Sequence, residues 1–194
     1  RILKSHEQKR SRLTGTSSFY DYLLRWEKQA GANHPAIIVV LQVISEVQNK
    51  STDGLRLFDN RYDSTLFALE RIPDTGEHAY YIRPHPDHAD YGEQQLINDM
   101  ICSVNERRTY KFILLDSDYI PDRPIDMDKL LIFSFGGSVS LELAKYGLKT
   151  ISSDRPMAPE SSFIKPNSIN EFGHMLAHPT SLSTSLHSSV VSRA

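Results

Sequence analysis

Residues Ala36 to Ile44 read AIIVVLQVI, an apolar run interrupted only by Gln42. In a strand, successive side chains point to opposite faces of the sheet, so a strand with one wet face alternates apolar and polar residues. This run does not alternate. It predicts a strand covered on both faces, the pattern of a parallel sheet flanked by helices. It is also far shorter than the roughly 20 apolar residues that cross a bilayer.

The chain on either side carries the same theme. Upstream, SSFYDYLLRWEKQA, from Ser17, places Tyr20, Leu23, Leu24 and Trp26 at helical spacing behind a serine start signal. Downstream, Ser64 to Ile72 reads as a helix, and Pro73 to Gly76 as a turn. Ala79 to Arg83 (AYYIR) is a second strand. Tyr91 to Arg107 is a long helix with Leu96, Ile97, Met100, Ile101 and Val104 on one stripe. Lys111 to Asp116 is a third strand, and the Pro-rich YIPDRPIDMD that follows has room for one helical turn. Lys129 to Phe135 is a fourth strand. Gly136 to Gly147 is a turn and a helix ending on a C-cap glycine, Leu148 to Ser153 a fifth strand, and Ser168 to His178 a last helix.

Strands alternating with helices in this way imply an α/β fold: an open parallel sheet of about five strands joined by right-handed crossovers, with helices on both faces. The expected organisation is a linker and helix over 1–35, the α/β domain over 36–178 and a Ser-rich tail over 179–194. In such sheets ligands bind beyond the carboxyl ends of the strands, where strand order reverses. Gln42, the RPHPDHAD that follows the second strand, and the SFGGSVSLE that follows the fourth should therefore share one edge.

Composition excludes several function classes. A net charge of -2 gives no pull toward nucleic acid or an anionic membrane. One cysteine, Cys102, excludes a disulfide framework and a cysteine-rich zinc site. No signal peptide is visible, so a cytoplasmic location is expected. The chain opens on Arg1, which suggests a piece of a longer protein.

Three stretches can carry chemistry. In FGGSVSLELAKYG, Gly136 and Gly137 let a backbone approach a ligand closely, and a helix starting near Ser138 offers free N–H groups and a partial positive charge to a phosphate. Ser138 and Ser140 could add hydroxyl donors, and Ser138 could equally be a plain N-cap. Glu142 could accept both hydroxyls of a ribose, or pair with Lys145 one turn on. In RPHPDHAD, Arg83 and His85 suit an anion clamp, with Pro84 and Pro86 stiffening the backbone that presents His85. A metal site at His85, Asp87, His88 and Asp90, and a purely structural turn, are the alternatives. The leading Arg83 argues against the metal, since a guanidinium cannot ligate one.

Together these stretches resemble one family. IIVVLQVISEVQ is similar to the Q-V-x-x-D-S/Q loop of bacterial capsule-polysaccharide Kdo transferases. YYIRPHPD resembles their y-x-K/R-P-H-P-D stretch, and SFGGSVSLELAKYGLKTI their S-S-x-x-x-x-E-A-L-x-x-G-K-P-V stretch. Similar motifs occur in sialyl- and polysialyltransferases that use CMP-sugars. The resemblance spans Ala36 to Ser153 and implies a Rossmann-like donor-binding half of a GT-B glycosyltransferase, working on a surface polysaccharide. It implies a nucleotide-sugar donor, a glycan acceptor and no metal cofactor. It also implies an acceptor domain N-terminal to this one, and peripheral association with the inner face of the membrane. By the resemblance, His85 contacts the donor phosphate and helps CMP leave, and Arg83 adds charge. Pro86 belongs to the same clamp. Gly137, Ser138 and Ser140 hold the phosphate, Glu142 engages the ribose and Gln42 lies near the donor. Glu46 stands where the family has Asp, and Leu148-Lys149 where it has Lys-Pro. DRPMAPESSF replaces its Gly and aromatic pattern after the fifth strand, which bears on the sugar more than on the nucleotide.

Overall fold

The computed structural model describes residues 19–29, 34–45, 57–115, 122, 124–135, 139, 142–143, 146–153 and 164–179. Its elements run α1 (Phe19–Glu27), β1 (His34–Val40), α2 (Arg61–Arg71), β2 (Ala79–Arg83), α3 (Gln94–Glu106), β3 (Phe112–Leu114), β4 (Ile125–Ser134), β5 (Lys149–Ser152) and α4 (Ile169–Ala177). The five strands form one sheet in the order β3-β2-β1-β4-β5, and every pair is parallel. This is the open, doubly wound α/β sheet that the run AIIVVL predicts. Among the described residues no helix is long and apolar enough to cross a membrane.

The continuous apolar run of β1 has a direct cause. Ile37, Val39 and Leu41 enter one core with α2, α3 and α4, while Ala36, Ile38 and Val40 enter a second core on the opposite face. Both faces are dry, so neither set can be polar. The second core is closed by α1, whose Phe19, Tyr22, Leu23 and Trp26 follow helical spacing and are buried. Trp26 is fully buried and meets Tyr81 of β2 edge-on, ring centroids 4.7 Å apart. The helix read with the N-terminal linker is thus part of the core. It covers the face that α2 and α3, both on the other side, leave bare.

Two element boundaries differ from the sequence expectation. The long helix starts at Gln94, not Tyr91, because Pro86 to Gly92 form a succession of turns and Gly92 takes φ 70°. Leu96, placed on its core stripe, is 39% exposed. β4 starts at Ile125, inside the Pro-rich stretch where a helical turn had room. Ile125 pairs with His34 and Leu130 with Ala36, so the register shifts between them. In that interval Asp126 accepts from the Asp128 N–H at 3.1 Å and pairs with Lys129 at 3.0 Å. The acids that read as loop are the irregular part of a strand. Gly147 does end its helix, at φ 80°, with the Leu148 N–H reaching back to the Leu143 carbonyl at 3.1 Å.

The amino edge of β2 and β3 is bound by one clamp. Arg108 donates to the carbonyls of Ile72, Pro73 and Tyr110 and lies over the Tyr80 and Phe112 rings, at 4.9 and 4.6 Å. Asp74 accepts from the N–H groups of Thr109 and Tyr110 at 2.7 and 2.8 Å. These two hydrogen bonds, with the charge of Arg108 beside them, hold the Asp74 carboxyl below the usual carboxylate range.

Two outcomes follow. Replacing Trp26 with Ala should cost about 3–5 kcal/mol in urea unfolding. A loss under about 1 kcal/mol would place α1 outside the core. The folded Asp74 carboxyl titrates below its unfolded value. Its contribution is therefore complete above the ordinary carboxylate range and is lost as pH falls through the lower, folded value. Asp74→Asn should lower the urea midpoint near neutrality and flatten its decline between about pH 5 and pH 2. An unchanged acid limb would show that the clamp does not act through this charge.

Candidate functional site

A parallel sheet places all its carboxyl ends on one edge. Val40, the last residue of β1, pairs with Arg83 of β2 and with Ser134 of β4, and Ser134 pairs with Ser152 of β5. Gln42, Arg83 to Pro86, and Phe135 therefore follow strand ends that lie side by side on this edge. The order reverses between β1 and β4, so the crevice lies there. Gly137, Ser138 and Ser140 fall outside the described residues. Gln42, two residues beyond β1, is half-buried.

RPHP is built as a rigid exit from β2. The Arg83 carbonyl accepts from the Leu41 N–H at 2.8 Å, which ties the ends of β2 and β1 together. Pro84 is buried, His85 half-buried and Pro86 exposed at the start of the turn. The Asp87 N–H donates to His85 Nδ1 at 3.2 Å. Because that nitrogen accepts, the tautomer it selects carries its proton on Nε2.

The rest of the stretch folds back on itself. His88 Nδ1 meets the His85 carbonyl at 2.7 Å, and its Nε2 meets Gln94 Oε1 at 2.6 Å. The Asp87 carbonyl accepts from the N–H groups of Asp90 and Tyr91 at 2.9 and 3.3 Å. Both ring nitrogens of His88 are thus used within the turn and its following helix. Among the described residues no three His, Cys, Asp or Glu side chains gather as a metal site would need.

Arg83 and Glu142 converge from opposite sides of the reversal. The Arg83 guanidinium lies 4.8 Å from the Phe19 ring centroid and 5.7 Å from that of Tyr22. Glu142, in the helical segment after β4, accepts from the Tyr20 N–H at 3.2 Å. Phe19 and Tyr20 open α1, so a carboxylate sits at the positive end of that helix and a cation stacks beside it. The Tyr20 ring also stacks on Tyr146, centroids 3.8 Å apart and nearly parallel. The first turn of α1 joins the β2 exit to the β4 exit. Lys145, the other partner the sequence offers Glu142, falls outside the described residues.

One residue of this edge escaped the sequence. Glu93, only 3% exposed, accepts from the Ile44 N–H at 3.0 Å, the Ser45 N–H at 2.5 Å and the Ser45 hydroxyl at 2.6 Å. Opposite it, Arg61 donates to the Val43 carbonyl at 2.7 Å. An acid just before an amphipathic helix reads as a favourable helix-terminus charge. Its actual partners lie 48 and 49 residues away, beyond any local signal.

Removing the Glu142 carboxylate should loosen the start of α1. Glu142→Ala should lower stability by about 1 kcal/mol in urea unfolding, the usual cost of a lost helix cap, with no ligand present. Stability equal to that of wild type would show that the Tyr20 contact carries no energy. Comparison with family models, with curated proteins and with solved structures finds no match.

Proposed function

We propose that this chain is the donor-binding domain of a glycosyltransferase that builds a surface polysaccharide, and that its donor is a nucleotide-sugar, a CMP-sugar first among them. The observation that carries the reading is the convergence at the carboxyl edge. Arg83 and Glu142 reach successive residues of α1, and His85 follows Arg83 at the same strand exit. The motif resemblance groups these same residues.

In this reading His85 donates from Nε2 to a phosphate oxygen of the donor. Arg83 lends positive charge from its seat on α1. The bond between the anomeric carbon and the phosphate oxygen breaks, and CMP leaves with the added negative charge. A bond forms from the anomeric carbon to the acceptor hydroxyl, whose proton passes to a general base on the acceptor domain. The developing phosphate charge is met by oriented donors, which carry most of the stabilisation in such transfers. Gly137, Ser138 and Ser140 would cradle the same phosphate, Pro86 would stiffen the clamp, and Gln42 would border the donor. Glu142 would serve the ribose from the position where it also holds α1.

Binding should show as a shift in melting temperature. CMP at about 100 times its Kd should stabilise the fold by about 2.7 kcal/mol, a rise of several degrees. His85→Ala should abolish that rise while leaving the ligand-free melting temperature within about 1–2 degrees of wild type. Absence of any response to CMP, CMP-sugars or other nucleotide-sugars in the wild-type protein would refute the reading.

A further inference from the structure

The turn after β1 presents two successive backbone N–H groups, those of Ile44 and Ser45, to a single carboxylate. Glu93 Oε2 takes the first and Oε1 the second, and the Ser45 hydroxyl adds a third donor to Oε1. The peptide joining Val43 to Ile44 is gripped at both ends. Its carbonyl accepts from Arg61 Nη1, and its N–H donates to Glu93. Successive N–H groups aimed at one point make a concavity that binds anions. In a sheet wound in this order, the turn after β1 borders the point where ligands bind.

Glu93 is not there as a cap of its own helix. It occupies the N-cap position of α3, yet its side chain makes no capping hydrogen bond to that helix. It is turned instead toward the β1 turn, and it is buried there. Its backbone N–H meanwhile donates to the His88 carbonyl at 3.0 Å, which closes the RPHPDHAD turn. One residue therefore ends that turn with its main chain and fills the neighbouring concavity with its side chain.

We propose that the Ile44–Ser45 turn is an anion-binding nest suited to a carboxylate or phosphate, and that Glu93 occupies it from within the chain. The consequence reaches any ligand of this edge. The Ile44 and Ser45 N–H groups at the start of the first strand-to-helix connection are already satisfied. An anionic ligand at the carboxyl edge meets these two donors only by displacing Glu93. The nest stands on its own contacts and does not depend on the ligand being a nucleotide-sugar.

Glu93→Ala vacates the nest and leaves its donors in place, so small anions become the probe. The variant should melt below wild type. Sodium formate, acetate or inorganic phosphate should each be compared with sodium chloride at matched ionic strength. At least one of them should recover several degrees in the variant and produce no such gain in wild type. A second variant carrying Ser45→Ala as well should recover less, since one donor is gone. Recovery by chloride to the same extent, or an equal gain in wild type, would overturn the proposal. Should Glu93→Ala fail to fold, Glu93→Gln provides the measurement, because its amide nitrogen replaces an acceptor with a donor. Hydrogen exchange at the Ile44 and Ser45 amides should then speed up by about tenfold or more. Unchanged exchange would sink the nest. Failure of CMP to bind wild type would refute the donor reading alone and leave these outcomes untouched.

Discussion

The burial of β1 on both faces is the constraint from which the other features follow. Its side chains enter two separate cores, and its backbone is flanked by parallel partners on both sides. A central strand of this kind needs helices above and below it. It also needs crossovers, because parallel strands cannot be joined by tight turns. Once the crossovers run outward from β1 in both directions, strand order must reverse beside it. The crevice at the carboxyl edge is therefore a product of topology before any side chain is chosen for chemistry.

α1 gives that edge its local shape. It precedes β1 in the chain and lies on the face that α2 and α3 leave uncovered. Its apolar stripe belongs to the core, and its first turn belongs to the edge. Arg83 stacks on Phe19, and Glu142 receives the Tyr20 N–H. A charge of each sign is thereby held at the end of one helix, one from each side of the strand-order reversal. Residues singled out for a ligand are also the residues that hold the scaffold around it. The two roles are compatible, since a group held in place by packing is already oriented for a ligand.

RPHPDHAD illustrates how context resolves an ambiguous cluster. By residue type it suits a metal, an anion or a turn. Asp87 bonds His85 through its main-chain N–H, while His88 turns its ring onto the His85 carbonyl and Gln94. The second half of the stretch becomes a turn that leads into α3, and the first half a stiff exit from β2. The same turn delivers Glu93 to the loop after β1, so the exits of the two central strands are coupled by a buried carboxylate.

The sequence by itself determined the class of fold, because periodicity is a local property. An unbroken apolar run marks a doubly buried strand, a stripe such as Ile97, Met100, Ile101 and Val104 marks a helix face, and Gly147 marks a helix end. It also determined that the carboxyl ends of β1, β2 and β4 share an edge, since parallel strands admit no other arrangement. It could not show that α1 closes the second core, that Ile125 pairs with His34, or that Glu142 meets Tyr20. Nor could it show that Glu93 fills the turn after β1. Each of these joins residues far apart in the chain, and their pairing is decided by how the layers pack. Hydrophobic patterning tells a segment which face to bury, but which polar groups then meet across the edge depends on geometry that only the assembled sheet supplies.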